Sequence, residues 1–170
     1  MDPFETLGIA HTFDIDLAVV ERTHRDLSRA LHPDRYVGAS ATERRVALAK
    51  AIEVNEAWRI VRDPLRRAEA LLQLSGVAIG DDREPPGDPE FLASMLEQRE
   101  ALAEARSARD LDAVRRLAHV VQERLRDAEA QLSRGFARGE ARPLLARLGE
   151  ARFYRRFLDE VSAIEDELAA

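Results

Sequence analysis

Two stretches in the first third of the chain place apolar side chains at alternating three- and four-residue intervals. The first holds Leu17, Val20, His24, Leu27 and Leu31, the second Ala47, Ala51, Val54, Trp58 and Val61. This spacing tracks the helical repeat, so each stretch predicts an amphipathic helix with one face toward the other. Asp16 can cap the first helix, and Pro33 disfavours helical geometry at His32, so that helix must stop there. Thr42 and Glu43 can open the second, which runs to about Arg62 before Asp63-Pro64. Asp2-Pro3 offers a cap and first-turn proline for a short helix ending at Gly8. Another short helix is expected over Leu65 to Leu74.

The pattern breaks at residues 76 to 89, where Gly76, Gly80, Pro85, Pro86, Gly87 and Pro89 cannot sustain a helix. The break divides the chain into residues 1–75, a linker over 76–87, and residues 88–170. In the last part Asp88-Pro89 starts a helix to about Arg109, with Phe91, Met95 and Leu102 as its core stripe. Asp110 starts another with Val114, Leu117, Val121, Leu125, Ala128 and Leu132 on one face, ended by Gly135 and Gly139. Pro143 opens the last, with Leu144, Leu148, Ala151, Leu158, Val161 and Leu168. Three helices on short connections predict a three-helix bundle.

Composition agrees with an all-α chain. Of 170 residues 45% are apolar, 34% charged and only 5% aromatic, and Ala, Leu, Arg and Glu are strong helix formers. The net charge of −6 argues against a nucleic-acid partner, which needs a basic surface. No uncharged stretch approaches the ~18 residues that span a bilayer, so no membrane association is expected. The N-terminus shows no signal-peptide pattern, and a cytosolic location is expected. Cysteine is absent, which excludes disulfides and thiolate metal sites. Of the 26 basic residues only Lys50 is lysine, a bias with no assigned role.

Candidate chemistry gathers where the first two long helices meet. His32-Pro33-Asp34 stands at the tip of the hairpin, where a loop can carry function on a rigid scaffold. The bland reading is a helix-stopping proline between a turn histidine and a capping aspartate. Arg22, Arg25 and Arg29 recur at three- and four-residue spacing off the apolar stripe and lead toward the loop. Singly each is an ordinary solvated charge; together they form a basic band on an acidic protein. His24 sits on the apolar stripe and reads as a packed core or boundary residue, not a metal ligand. His11 and His119 read as isolated surface residues. No metal, cofactor or catalytic residue is expected, because His32 and Asp34 have no second catalytic group beside them.

These residues, with Phe4-x-x-Leu7-Gly8, Asn55-Glu56-Ala57-Trp58 and Asp63-Pro64-Leu65-Arg66-Arg67-Ala68, resemble a J-domain over residues 3–74. The resemblance implies that His32, Pro33 and Asp34 touch an ATP-driven chaperone of the HscA/DnaK class. It implies that Arg22, Arg25 and Arg29 face the same partner. In the second part, Leu92 and Leu96 point away from the predicted core stripe. They are either a docking patch rimmed by carboxylates or a widening of the core face. Phe91-Leu92-x-x-x-Leu96-Glu97-x-Arg99-Glu100 and Arg152-Phe153 resemble the client-binding domain of HscB-type co-chaperones. That resemblance implies a client, the iron–sulfur scaffold IscU, and contacts at Leu92, Ala93, Leu96, Glu97, Glu100 and Phe153. Ala93 departs from the larger apolar residue common there. Two other readings stay open: a J-protein serving another client, and a helical adaptor whose His-Pro-Asp is incidental.

Overall fold

A computed structural model describes residues 1–79 and 88–169, and every regular element among the described residues is helical. The chain divides into two compact units, Met1–Gly76 and Val77–Ala170. From residue 80 on, the linker expected over 76–87 lies outside the described residues.

Side-chain caps punctuate the first unit. The Asp2 carboxylate accepts from the N–H groups of Phe4 (2.9 Å) and Glu5 (3.2 Å) and starts α1 (Pro3–Leu7). Gly8, at φ 65°, ends it. Asp16 accepts from Ala18 and Val19 (3.0 and 3.1 Å) to open α2 (Leu17–Ala30). The next long helix, α3 (Ala41–Arg62), starts slightly before the expected Thr42, because Ser40 and Glu43 form a reciprocal capping box. Asp63 closes α3 and caps α4 (Pro64–Leu74), accepting from Leu65 (2.9 Å) and Arg66 (3.2 Å).

The core of this unit is built on α3, against which α1, α2 and α4 all pack. Ala47, Val54, Ala57 and Val61 are buried there with Phe4, Leu7, Phe13, Val20, Leu65, Ala68 and Leu72. α2 is less embedded than its stripe implies. Only Val20 is fully buried, while His24, Leu27 and Leu31 are half-buried and Leu17 is exposed. α2 leans mainly on α3, so one neighbour covers its apolar face. Arg67 is buried, a position composition alone does not reveal. Its Nη1 donates to the Val61 carbonyl at 2.6 Å and its guanidinium lies 4.9 Å from the centre of the Phe13 ring. Both contacts offset the cost of taking a cation out of water.

The second unit is the three-helix bundle of α5 (Pro89–Ser107), α6 (Leu111–Ala137) and α7 (Leu144–Ala169). Asp88 and Asp110 cap α5 and α6 through the N–H groups of Glu90 and Ala113. α5 and α6 end in the same way. The Arg109 N–H bonds the Arg106 carbonyl and the Asp110 N–H bonds that of Ala105. The Gly139 N–H bonds the Phe136 carbonyl and the Glu140 N–H bonds that of Gly135. The left-handed residue is Gly139 (φ 73°) in one turn and Arg109 (φ 54°) in the other.

Two sequence expectations change here. Gly135 does not end α6. It is buried inside the helix, and a Cβ there would run into the Leu144 side chain. On α7 the buried residues are Leu144, Leu148, Ala151, Tyr154, Phe157, Val161 and Ile164, whereas Leu158 and Leu168 are only half-buried. α7 packs on both α6 and α5, so its covered face is broader than one stripe and takes in the aromatics.

Gly135→Ala should therefore destabilise the bundle by about 1–3 kcal/mol, the usual cost of overpacking. That outweighs the roughly 0.5–1 kcal/mol alanine gains over glycine in an open helix. Thermal melts of the single variant and of its combination with Leu144→Ala check this. The glycine change should cost much less once Leu144 is shortened, and a single variant melting as high as wild type would refute the close approach.

Candidate functional site

The tip of the hairpin is an ordered turn where the sequence predicts a polar loop. His32 is extended (φ −63°, ψ 136°), as a residue before proline must be, and Pro33–Tyr36 form a 3-10 turn. Proline suits the first position because no N–H is needed there. The Arg35 N–H closes the turn on the His32 carbonyl (3.0 Å). His32 Nδ1 accepts from the Asp34 N–H (3.3 Å) and lies 3.4 Å from Asp34 Oδ2. The Asp34 side chain is nonetheless 87% exposed and that of His32 58%. The turn thus holds a carboxylate in water beside an imidazole, placed to accept from an incoming cation.

Arg22, Arg25 and Arg29 are exposed on α2. At about 100° per residue they fall within an arc of roughly 60°. Arg25 is 3.7 Å from Glu21 and Arg29 3.9 Å from Asp26. Such loose surface pairs are screened by solvent and leave the guanidiniums able to meet an acidic surface.

His24 joins the two arms of the hairpin. Its ring stacks on Trp58 (5.2 Å between centroids, 14° between planes), and Nε2 donates to Asn55 Oδ1 at 3.0 Å with Ser28 Oγ at 3.3 Å. It is a boundary residue, as its stripe position implies. The clamp also gives Asn55 and Trp58 a structural reason for their places on α3. His11 is not isolated, as the sequence reading had it. Its Nε2 lies 2.7 Å from Asp2 Oδ2, and its ring stands edge-on to Phe4. Burial alone would raise the Asp2 carboxyl, but the Glu5 N–H, His11 and the Phe4 N–H hold it below the ordinary carboxylate range. His119 is exposed and 3.7 Å from Glu123 on the same helix.

On α5, Met95 and Leu102 are buried, while Leu92 and Leu96 are 51% and 60% exposed. The two leucines therefore do not belong to the core face. Ala93, Glu97 and Glu100 are exposed beside them. Phe91, expected in the core stripe, is half-buried, because its ring is wedged edge-on between Phe153 and Tyr154 of α7, 5.8 Å from each. The wedge brings α7 to the patch and fixes Phe153, whose other contact is the Arg99 guanidinium 5.0 Å from its ring centre. Arg99 thus packs on Phe153, a contact between helices that the α5 motif does not reveal. Burial, reinforced by the nearby Glu150 charge, pushes the Tyr154 phenol above its ordinary pKa, so it remains a neutral packing group.

A J-like helical hairpin with His-Pro-Asp at its tip, followed by a helical bundle bearing an exposed leucine pair, defines a co-chaperone architecture. Residues 87–162 match the family model described as the HSCB C-terminal oligomerisation domain. A co-chaperone protein HscB homolog of Neisseria meningitidis is 31% identical over 160 residues, covering 94% of this chain and 96% of that protein. Chaperone HscB from Vibrio cholerae has a TM-score of 0.87 at 31% identity, covering 99% of both chains. Human co-chaperone HscB shares the fold, with a TM-score of 0.89 at 24% identity over 97% of this chain and 82% of that one. The chain belongs to the HscB co-chaperone family.

The burial contrast on α5 makes a stability prediction. Leu92→Ala and Leu96→Ala should each change unfolding free energy by less than about 0.5 kcal/mol, as surface substitutions do. Met95→Ala should cost about 2–5 kcal/mol. Urea denaturation followed by circular dichroism separates the two, and comparable losses at all three positions would contradict this burial pattern.

Proposed function

We propose that this protein stimulates the ATPase of an HscA/DnaK-class chaperone and delivers the iron–sulfur scaffold IscU to it, working in the cytosol in support of iron–sulfur cluster assembly. The observation that carries this reading is the Asp34 carboxylate, held by a proline-started turn yet open to water. A charge-assisted hydrogen bond from a chaperone arginine to that carboxylate is worth about 1.5–3 kcal/mol, enough to bias a two-state partner. His32 and Pro33 shape the turn and pack beside the contact. Arg22, Arg25 and Arg29 raise the encounter rate with an acidic chaperone surface, an effect that weakens with salt. The protein makes and breaks no covalent bond; it regulates an enzyme and is not one. The client docks on Leu92, Ala93, Leu96 and Phe153, with Glu97 and Glu100 supplying charge. Small Ala93 adds little area, so the leucines and Phe153 carry most of the apolar contact.

Steady-state ATP turnover by the cognate chaperone, with and without IscU, tests both halves. Asp34→Asn should abolish stimulation while the helical signal stays intact. Full stimulation by that variant would sink the chaperone contact. Arg22→Gln, Arg25→Gln and Arg29→Gln together should raise the concentration needed for half-maximal stimulation and flatten its salt dependence. Leu92→Ala with Leu96→Ala should keep the client-independent stimulation and lose the increment IscU adds. An unchanged increment would point to another client.

A further inference from the structure

The bundle holds a cleft of about 740 Å³ between the start of α5, the end of α6 and the first half of α7. Phe91 and Leu92 from α5 and Leu145 and Phe153 from α7 give it an apolar wall. Gly149, one turn from both Leu145 and Phe153, also lines it. Glycine inside a helix is unfavourable on backbone entropy, and here it puts no side chain on the cleft between Leu145 and Phe153.

Four arginines also line the cleft, Arg134 and Arg138 at the end of α6 and Arg147 and Arg156 on α7. Arg138 and Arg147 line the cleft but are matched by Glu140 (3.0 Å) and Glu150 (2.8 Å). Arg134 and Arg156 line it too, are exposed, and make no ion pair among the described residues. The remaining carboxylate at the cleft, Asp88, caps α5. Arg134 and Arg156 are therefore unmatched among the described residues, in a cleft lined by four arginines and three carboxylates.

Leu92 and Phe153 belong both to this cleft and to the patch read above as the client contact. Glu100 stands eight residues beyond Leu92, about 12 Å further along α5, and neither Glu97 nor Glu100 lines the cleft. The unmatched guanidiniums of α6 and α7 thus stand beside the start of α5, where Asp88 and Glu90 also lie, and Glu97 and Glu100 flank Arg99 beyond the leucines.

We propose that the cleft continues the client-docking surface and receives an acidic, aliphatic segment of that client. An aliphatic side chain sits over Gly149 between Leu145 and Phe153, and carboxylates meet Arg134 and Arg156. This rests on the reading of Leu92, Leu96 and Phe153 as client contacts. The unmatched guanidiniums favour the orientation that brings the client's carboxylates to the cleft.

Calorimetric titration of the full chain with purified IscU tests it. Failure of the wild-type chain to bind would overturn the client reading and the cleft together. Given wild-type binding, Arg134→Glu with Arg156→Glu should weaken it by at least roughly tenfold, since two charged contacts are lost, and make it less salt-dependent. Gly149→Leu, which fills the cleft, should weaken binding comparably while leaving its salt dependence unchanged. If that variant loses helicity, the exposed arginine pair decides alone. Should the arginine variant bind like wild type while Leu92→Ala with Leu96→Ala does not, the cleft proposal fails and the client reading stands. Sedimentation of the variants gives the remaining outcome: a change in self-association without a change in client affinity would assign the cleft to a second copy of this chain and overturn the proposal.

Discussion

The packing of apolar side chains on α3 is the constraint from which the first unit follows. Its buried residues Ala47, Val54, Ala57 and Val61 receive α1, α2 and α4 in turn. Because α2 has this one main support, its grip depends on a few contacts at the edge of the core. The stack of His24 on Trp58 and the bond to Asn55 supply both area and direction there. Slippage of α2 along α3 would break the stack and the bond together. The turn at the hairpin tip packs on α3 as well, and its Asp34 side chain stays exposed.

The second unit solves a different problem with similar means. Its two well-defined stops place a left-handed residue after each helix, and the close approach at Gly135 lets Leu144 sit against α6. Further along α7, Phe153 stands edge-on to Phe91 of α5. Core packing and surface presentation are therefore linked: the aromatic wedge that closes the bundle also sets one side of the leucine patch. Met95 is buried while Leu96, about 100° round the helix from it, and Leu92, about 60° round on the same side, are exposed at the edge of the covered face.

Charge is distributed unevenly over an acidic chain. The arginines of α2 lie within a narrow arc leading to the loop, while α5 carries exposed carboxylates next to its leucines. The cleft at the start of α5 holds Arg134 and Arg156, unmatched among the described residues. Exposed charges of this kind contribute little to folding but much to which surfaces meet and in what orientation. Buried Arg67 is the contrasting case, since it carries a cation into the core under a carbonyl and an aromatic ring.

The caps and prolines were legible from the sequence, and they determined the helices nearly to the residue. Asp2-Pro3, Asp16, Asp63-Pro64, Asp88-Pro89 and Asp110 are local signals whose physics needs no distant partner. The all-α class followed from composition and period. The loop and the leucine pair were visible as motifs, but helical geometry left open whether Leu92 and Leu96 widen the core face, and their exposure is a finding of the structure. What needed the tertiary structure were the contacts between elements far apart in sequence. Gly135 resembled a helix stop because the neighbour filling its missing side chain, Leu144, comes from the next helix. His11 looked solitary because its partner Asp2 lies across a helix and a turn. The core face of α7 followed two neighbouring helices, which no single-helix pattern encodes. The sequence by itself determined where most of the helices begin, because capping and backbone restriction act over three or four residues. The tertiary structure decided how far each apolar face is covered and by which neighbour, because burial depends on partners the local chain does not contain.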